Sequence, residues 1–207
     1  MMTDISAEFR LERTEHRMRI TKEQAEANRR KIIETAATLF MKHGFNGVGI
    51  AEIMKTAGFT HGGFYNHFKS KQDLEGEATA AAFDLRPKLM KRPDSLRQYL
   101  ESYLSERHVK WPERGCPVAA MGADVPRESE PVRKSFADGV EDMLTMLESH
   151  LADEGAPETG RRERAGAILS EIVGAVVLAR AIPESDPLRD DLLKSTLQRA
   201  LALALAD

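Results

Sequence analysis

Two short helix-forming segments separated by a glycine constrain the fold of this chain more than any other feature. The first, Ile50–Thr56, has apolar residues at helical spacing, and Gly58 ends the pattern. Thr60 is a residue type that caps helices, and it precedes the second segment, His61–Phe68. A longer amphipathic helix, Glu26–His43, comes before both. Three helices in this order predict a helix-turn-helix unit braced by its first helix.

The second segment lies in the stretch GFTHGGFYNHFKSKQDL, residues 58–74, which combines aromatic residues with glycines, histidines and lysines. The residues spaced to pack the three helices together are Phe40, Ile53, Phe59, Phe64 and Phe68. The less buried residues are then His61, Gly62, Tyr65, Asn66 and His67. Adjacent glycines cost a helix about 1 kcal/mol each relative to alanine. They therefore suggest a backbone that must come close to something large, such as the sugar-phosphate wall of a DNA groove.

The charge distribution is also uneven. The 207 residues have a net charge of −3, but residues 17–71 hold ten Lys and Arg against four Glu, a net of +6, so the remainder carries −9. A basic N-terminal third on an acidic body is typical of a small nucleic-acid-binding head. A solvated, charged surface without a partner explains the asymmetry about equally well.

Composition excludes several classes of protein. One cysteine in 207 residues rules out a disulfide framework and fits a reducing cytoplasm. The N-terminus has acidic residues and no apolar stretch of the signal-peptide type, and no apolar run is long enough to span a bilayer. No nucleotide-binding glycine motif, HExxH, CxxC or GxSxG occurs, which weakens an enzyme hypothesis and predicts no cofactor.

The rest of the chain also has helical periodicity and no sustained alternation of period two, so the predicted fold class is all-α. Ser70 is expected to cap a helix that begins near Lys71 and that Pro87 ends or kinks. Apolar spacing predicts further helices at about 96–104, 132–151, 161–181 and 188–206. Residues 113–131, ERGCPVAAMGADVPRESEP, predict a loop with one short helix bounded by prolines.

Residues 29–74, RRKIIETAATLFMKHGFNGVGIAEIMKTAGFTHGGFYNHFKSKQDL, resemble the DNA-binding domain of the TetR family of bacterial transcriptional repressors. The hallmarks are a first helix that ends in LFMKHGF, a second with IAEIMKTAG, and the closing block FYNHFKSKQDL. The resemblance implies an N-terminal arm at 1–22, a DNA-binding head at 23–70, and a ligand-binding and dimerisation domain at 71–207. It also implies a homodimer that binds a palindromic operator and is released by a small effector.

The resemblance also implies roles for individual residues. His61 and Gly62 fall where family members approach base edges, Gly63 and His67 where they meet phosphate, and Tyr65 where they contact the backbone or a thymine methyl group. Lys71 matches a phosphate-binding lysine at a helix N-terminus. At Gly49 the hydroxyl residue that often caps the second helix is missing, so the backbone N–H groups of Gly49 and Ile50 are expected to serve instead.

Few side chains on this face can form hydrogen bonds to bases, so phosphate contacts and DNA shape should supply much of the affinity. A basic N-terminal arm could reach a neighbouring groove, although a tail that merely aids solubility is equally plausible there. The predicted DNA contacts are Arg17, Arg19, Lys22, Gly49, Ile50, Thr60, His61, Gly62, Gly63, Tyr65, Asn66, His67 and Lys71.

The last two helices carry wide apolar stripes, which by default bury a core within one chain. Members of the family pair these helices between subunits, so the resemblance implies that they form the dimer interface. Gly166 and Gly174 would allow such helices to approach closely. The remaining helices are expected to enclose a largely apolar effector. The candidate lining residues are Tyr99, Tyr103, His108, Trp111, Cys116, Met121, Phe136, Met143 and Met146, although such residues more often simply form core.

Cys116 precedes Pro117, a residue suited to the first position of a helix, so the cysteine is predicted at the N-cap. The helix dipole and nearby Arg114 would favour its reactive thiolate. A cysteine after glycine in this region resembles the electrophile-sensing branch of the family, so modification of Cys116 is a second hypothesis for release of DNA. A small buried cysteine without a regulatory role is the alternative.

Other functions remain open at this point. The same head could serve a transcriptional activator or a nucleoid-type DNA binder. The helical body could instead belong to an enzyme with Glu101, His108 and Asp124 as acid and base, although no spacing recommends them. No metal site is predicted, because His61 and His67 would point in different directions on a helix.

Overall fold

The computed structural model describes residues 21–89 and 95–204, which contain α-helices and 3₁₀ helices and no strand. The N-terminal head comprises α1 (Lys22–His43), α2 (Ile50–Ala57) and a 3₁₀ helix, His61–Asn66, called here the His61 segment. The next helix, α3 (Lys71–Leu89), leads into the body.

The described part of the body contains six further α-helices. They are α4 (Leu96–Tyr103), α5 (Glu106–Lys110), α6 (Pro117–Met121), α7 (Glu130–Asp153), α8 (Arg161–Ala181) and α9 (Pro187–Ala204), with 3₁₀ turns at Pro112–Arg114 and Val125–Arg127. The prediction of an all-α fold is confirmed. None of the helices in the described ranges is long and apolar enough to cross a membrane.

Capping groups set the bounds of the first two helices. The hydroxyl of Thr21 accepts a hydrogen bond from the N–H of Gln24 at 3.1 Å, so α1 begins at Lys22, four residues before the predicted start. Gly58 ends α2 with φ +83°, a left-handed conformation that glycine adopts at little cost. The chain therefore turns sharply between α2 and the His61 segment, as the sequence predicted.

The His61 segment is a 3₁₀ helix that ends at Asn66, two residues before the predicted end of this short helix. Its backbone bonds run over three residues, from Gly63 N–H to Thr60 O at 3.0 Å and from His67 N–H to Phe64 O at 2.9 Å. Consecutive glycines favour an α-helix poorly, and a short 3₁₀ turn needs fewer ordered residues for its first bond.

Two hydrogen bonds between side chains and backbone begin α3. The Ser70 hydroxyl accepts from Asp73 N–H at 3.1 Å, and the Asp73 carboxylate accepts from Lys69 N–H at 3.2 Å. This confirms Ser70 as the cap. The helix continues past Pro87 to Leu89, so Pro87 does not end it, and a kink at Pro87 stays a prediction.

The buried apolar residues form two cores, one in the head and one in the body. Helix α6 contributes to both, because Cys116 and Ala119 belong to the body core whereas Met121 belongs to the head core. Helix α3 packs against α1 and also against α7. Head and body are therefore joined through α3 and α6, and a domain boundary at residue 70 stays a prediction.

Candidate nucleic-acid interface

The His61 segment has one buried face and one exposed face. Phe64 and Phe68 are buried in the head core and stack with ring centroids 5.4 Å apart. Phe59 is half-buried against the same core. The opposite face consists of exposed residues, namely His61, Gly62, Tyr65 and Asn66, with Gly63 and His67 half-buried beside them. The division of this segment into packing and exposed residues is as predicted.

Tyr65 is a large side chain on the exposed face, with 63% of its surface accessible. Its ring meets the edge of Phe64 at 5.3 Å and that of His61 at 6.4 Å, both nearly perpendicular. Such edge-to-face contacts hold an aromatic ring in one orientation. The hydroxyl group of Tyr65 and the imidazole of His61 are therefore presented together on one surface.

The packing of the described residues gives no reason for position 62 to be glycine. Its φ is not positive, and a β-carbon built there would meet no atom within 4 Å. The same holds for Gly49, the N-cap of α2. A glycine that the protein's own packing does not require fits a surface on which a large partner approaches the backbone.

The helix ends near this face present backbone groups. Gly49 caps α2 without a side chain, and its carbonyl accepts from the N–H of Glu52 and of Ile53 at 3.1 Å. The amides of Gly49 and Ile50 precede these, at the positive end of the helix dipole. Thr60 is exposed and caps the His61 segment without a side-chain hydrogen bond.

Lys71 differs from the other predicted contacts, because its ammonium group has partners inside the protein. Its Nζ donates to the carbonyl of Phe45 at 2.6 Å and lies 3.2 Å from Glu75 Oε1. Lys22, in contrast, is exposed and lies 4.0 Å from Glu26. The two other predicted contacts of the arm, Arg17 and Arg19, fall outside the described residues.

Arg29, which the sequence counted among the basic residues of the head, is also engaged internally. Its guanidinium binds Glu77 of α3 through both terminal nitrogens, one of them at 2.6 Å, and lies 4.7 Å from the centre of the Phe68 ring. Hydrogen bonding to Glu77 raises the pKa of Arg29. This side chain braces α1 against α3 beneath the exposed face.

Five of the residues predicted to bind an effector are buried in or beside the body core. Tyr99, Tyr103, His108, Cys116 and Met143 are all buried there. Met146 is half-buried against the same core. The structure places the other three elsewhere: Met121 in the head core, Phe136 at its border, and Trp111 at the surface with 40% exposure.

His108 organises the segment that contains Cys116. Its Nδ1 lies 2.6 Å from the carbonyl of Tyr103, and its Nε2 accepts a hydrogen bond from the Cys116 N–H at 2.8 Å. The two contacts together define a neutral imidazole protonated on Nδ1. Gly115 makes this arrangement possible, because a β-carbon there would lie 2.1 Å from the imidazole. Cys116 caps α6 as predicted, but its thiol is fully buried, 3.6 Å from the sulfur of Met143.

Arg180, near the end of α8, is a residue that the sequence analysis missed. Its guanidinium donates to the carbonyls of His108, Val109 and Ala119 at 2.9, 3.2 and 2.7 Å. Burial lowers its pKa. The only signal in the sequence was an arginine in the last turn of a helix whose second half is largely apolar, a position that is usual for a cation near the negative end of the helix dipole.

A cleft of about 510 Å³ lies between the start of α3 and the start of α7. Its lining residues are Lys69, Ser70, Gln72, Asp73, Gly76, Glu77, Ala80, Ser129, Pro131 and Ser135. None of the predicted effector-binding residues is among them. In the described part of the chain, no group of three or more His, Cys, Asp and Glu side chains could hold a metal ion.

Comparison with known proteins identifies the family. A model of the DNA-binding domain of bacterial regulatory proteins of the tetR family matches residues 32–78, and a model of the LmrA/YxaF-like C-terminal domain of transcriptional regulators matches residues 94–191. The chain belongs to the TetR family. Because this is a family of transcriptional regulators and not of enzymes, the enzyme alternative is closed.

Curated TetR-family relatives agree with this assignment. The HTH-type transcriptional regulator LmrA of Bacillus subtilis (strain 168) is 26% identical over 170 residues, covering 78% of this chain and 90% of that protein. The HTH-type transcriptional repressor NemR of Escherichia coli (strain K12) is 26% identical over 132 residues, covering 59% and 66%.

Solved structures share the fold. A TetR regulator from Chloroflexus aurantiacus has a TM-score of 0.70 at 20% identity, covering 88% of this chain and 97% of that one. The reduced form of E. coli NemR has a TM-score of 0.66 at 20% identity, covering 85% and 96%. At these identities the likeness concerns the fold alone.

Proposed function

We propose that this TetR-family regulator is a homodimeric repressor that binds a palindromic operator and releases it when the body changes conformation. The observation that carries the proposal is the exposed face of the His61 segment, where His61, Gly62 and Tyr65 stand above a packed aromatic base. Such a face, at the end of a helix-turn-helix, fits a major groove. The two adjacent glycines of the segment allow its backbone to come close to the DNA.

In this proposal His61 and Asn66 bond to base edges, and each good contact contributes about 1–3 kcal/mol of discrimination. Tyr65 contacts the DNA backbone or a thymine methyl group, while His67 and the amides at Gly49, Ile50 and Gly63 meet phosphate. Thr60, which caps the His61 segment, lies at the edge of this surface. Lys22 and the two arginines of the arm add contacts to the DNA backbone, which do not depend on the base sequence.

Selection of bound duplexes from a random DNA pool tests the operator. The expected product is a palindrome with half-sites one helical turn apart, about 34–36 Å between recognition elements. His61→Ala should relax preference at one position of each half-site, and Tyr65→Ala should weaken binding. Glu34→Ala on α1, a residue outside the predicted DNA contacts, is the control. Recovery of no preferred sequence by the wild-type protein would refute the operator hypothesis.

We infer that the dimer forms through α8 and α9. Val177, Leu178 and Leu188 are apolar side chains with 42%, 53% and 52% exposure in the single chain. Gly166 and Gly174 lie inside α8, where a glycine costs about 0.5–1 kcal/mol relative to alanine, yet a β-carbon at either would meet no described atom outside its own turn of helix within 4 Å. A partner helix that packs closely against α8 explains both observations.

Light scattering after size exclusion tests the dimer. Leu178→Glu should produce a monomer and abolish high-affinity operator binding, because one head can hold only one half-site. Thr145→Glu, an exposed change on α7, should leave both properties unchanged. A wild-type protein that is monomeric at micromolar concentration would contradict this assignment.

The effector site in our proposal is the body core around Tyr99, Tyr103, His108, Cys116 and Met143. These residues are nearly fully buried, so a ligand can enter only if the core opens. Binding would then favour a conformation different from the packed one. A tenfold preference for that conformation corresponds to about 1.4 kcal/mol of coupling to DNA release.

A thermal-shift screen of apolar and electrophilic compounds can find the effector. A genuine effector shifts Tm and lowers operator affinity over the same concentration range. A set of hits that bind tightly but leave operator affinity unchanged would contradict the release mechanism.

Modification of Cys116 is the second route to release. The buried thiol must become accessible first, so we expect N-ethylmaleimide to react slowly and to weaken operator binding as it reacts. Cys116→Ser should bind the operator normally and ignore the reagent. An unchanged operator affinity after complete alkylation, or an equal loss in Cys116→Ser, would rule this route out.

A transcription measurement is needed to decide whether the protein represses or activates its target genes. A repressor predicts that transcripts beside the genomic operator rise when the gene for this regulator is deleted. A fall in the same transcripts would favour the activator alternative.

A further inference from the structure

The ammonium group of Lys71 is enclosed by three partners, which come from α1, from the loop after α1 and from α3. Its Nζ lies 2.6 Å from the Phe45 carbonyl, 3.2 Å from Glu75 Oε1 and 5.6 Å from the centre of the Phe40 ring. The Lys71 side chain is 23% exposed and that of Glu75 only 5%. This is a largely buried ion pair and not a lysine extended into solvent.

The Phe45 carbonyl belongs to the loop that joins α1 to α2. Phe45 is fully buried, and its ring lies 5.2 Å from that of Phe40. A buried carbonyl requires a hydrogen-bond donor, and Lys71 supplies one from a residue 26 positions away. Four residues beyond Phe45 the same loop reaches Gly49, which begins α2. Lys71 therefore holds this loop at a point four residues before the cap of α2.

We propose that the Lys71 side chain is a positioning group, which fixes the α1–α2 loop and so aims the amides of Gly49 and Ile50 at phosphate, and that it does not itself neutralise a phosphate. The proposal rests on the proposed DNA-binding function and refines how this site works. It differs from the role that the family resemblance implies for this lysine.

Two physical reasons favour positioning over a direct phosphate contact. An ammonium paired with a carboxylate at 3.2 Å forms a nearly neutral unit and offers little net attraction to an anion. Movement of Nζ to a phosphate would also take the donor from the Phe45 carbonyl and the cation from a buried Glu75. Both losses are costly in a desolvated site.

The salt dependence of operator affinity separates the two roles. Each lysine that neutralises a phosphate contributes about 0.9 to the slope of log K against log salt concentration, or roughly 1.8 for a dimer. The double variant Lys71→Met/Glu75→Gln removes both charges and leaves no unpaired ion. The probe is the duplex that the wild-type protein itself selects from random DNA.

For the double variant we expect an unchanged slope, a Tm lowered by the loss of the donor to the Phe45 carbonyl, and, at a temperature at which the variant is folded, an affinity at least tenfold lower at every salt concentration. A slope reduced by about 1.8 would overturn the proposal. So would an affinity equal to that of the wild type, because the loop would then not need Lys71. Lys69→Met, at the exposed neighbouring lysine, reports the slope change of an ordinary surface charge.

The single variant Glu75→Gln provides a second test that survives if the double variant does not fold. If Lys71 serves phosphate and Glu75 restrains it, then Glu75→Gln frees the ammonium and steepens the slope by about 0.9 per subunit. If Lys71 only positions the loop, Glu75→Gln should leave the slope unchanged, and its operator affinity should not exceed that of Glu128→Gln. The variant Glu128→Gln is the control, because it also removes one negative charge from this neighbourhood. A wild-type protein that selects no duplex would refute the proposed function. If the wild-type protein does select a duplex, altered slopes in the variants would refute only the role of Lys71.

Discussion

Gly139→Ala in α7 should reveal how tightly the helices that join head and body are packed. Gly139 is buried beneath the ring of Phe83 on α3, and a β-carbon at this position would lie 2.4 Å from ring atoms. Carbon atoms in contact lie about 3.5–4.0 Å apart, so either the ring or the helix must move by about 1 Å. Because α3 connects the body to the head, such a shift should also alter operator affinity.

The expected magnitude comes from two opposing effects. Overpacking a well-packed core costs about 1–3 kcal/mol, and replacing a helical glycine with alanine gains about 1 kcal/mol. Gly139→Ala should therefore lower the free energy of unfolding by up to about 2 kcal/mol in the wild-type background. In a Phe83→Ala background the collision is absent, so the same change should raise it by about 1 kcal/mol.

Urea denaturation of the four members of this cycle, at one fixed protein concentration, measures the coupling between the two positions. Ala137→Gly, at an exposed position of the same helix, gives the intrinsic preference of α7 for alanine over glycine. Our reasoning predicts a change of sign for Gly139→Ala between the two backgrounds. Equal stabilisation in both would show that the ring of Phe83 does not close over Gly139.

Three further changes test other parts of the structure. Arg180→Met should cost about 3 kcal/mol in urea denaturation, because charge-assisted hydrogen bonds to three carbonyls disappear. Gly115→Ala should force the imidazole of His108 away and speed alkylation of Cys116, measured with a chromogenic thiol reagent. Burial, followed by repulsion from neighbouring carboxylates, raises the pKa of Glu128. The folded state therefore binds its proton more tightly than the unfolded state, and stability falls as pH rises from the unfolded pKa through the folded one. Glu128→Gln should thus raise Tm at pH 7 and lose that advantage below about pH 4, and a constant difference in Tm across this range would contradict it.

The head could be predicted from the sequence because its signals are local. The apolar spacing of α1 and α2, the left-handed glycine at Gly58 and the capping serine at Ser70 each act within four or five residues of their partners. Local hydrogen bonds and helical periodicity are what a sequence displays directly. The type of helix in the His61 segment was harder to predict, because a choice between bonds over three or four residues depends on small energies.

The roles of charged residues could not be predicted, since their partners lie far away along the chain. Arg29 binds Glu77 across 48 residues, Lys71 binds the Phe45 carbonyl across 26, and Arg180 reaches carbonyls 61 to 72 residues away. From the sequence alone, each of these cations is equally suited to solvent or to phosphate. The number of basic residues in the head is therefore larger than the number of positive charges available to DNA.

Helix α6 offers a physical connection between the proposed effector site and the head. Its first residues pack in the body core beside Cys116 and its last, Met121, packs in the head core, while Arg180 binds the carbonyl of Ala119 in its middle. A five-residue helix held at both ends cannot tilt without disturbing both cores. Opening of the body core by an effector should therefore displace Met121 as well, and with it the packing beneath α1 and α3. The coupling needs only about 1.4 kcal/mol for tenfold weaker operator binding, which is less than the cost of deleting one well-packed methionine side chain from a core.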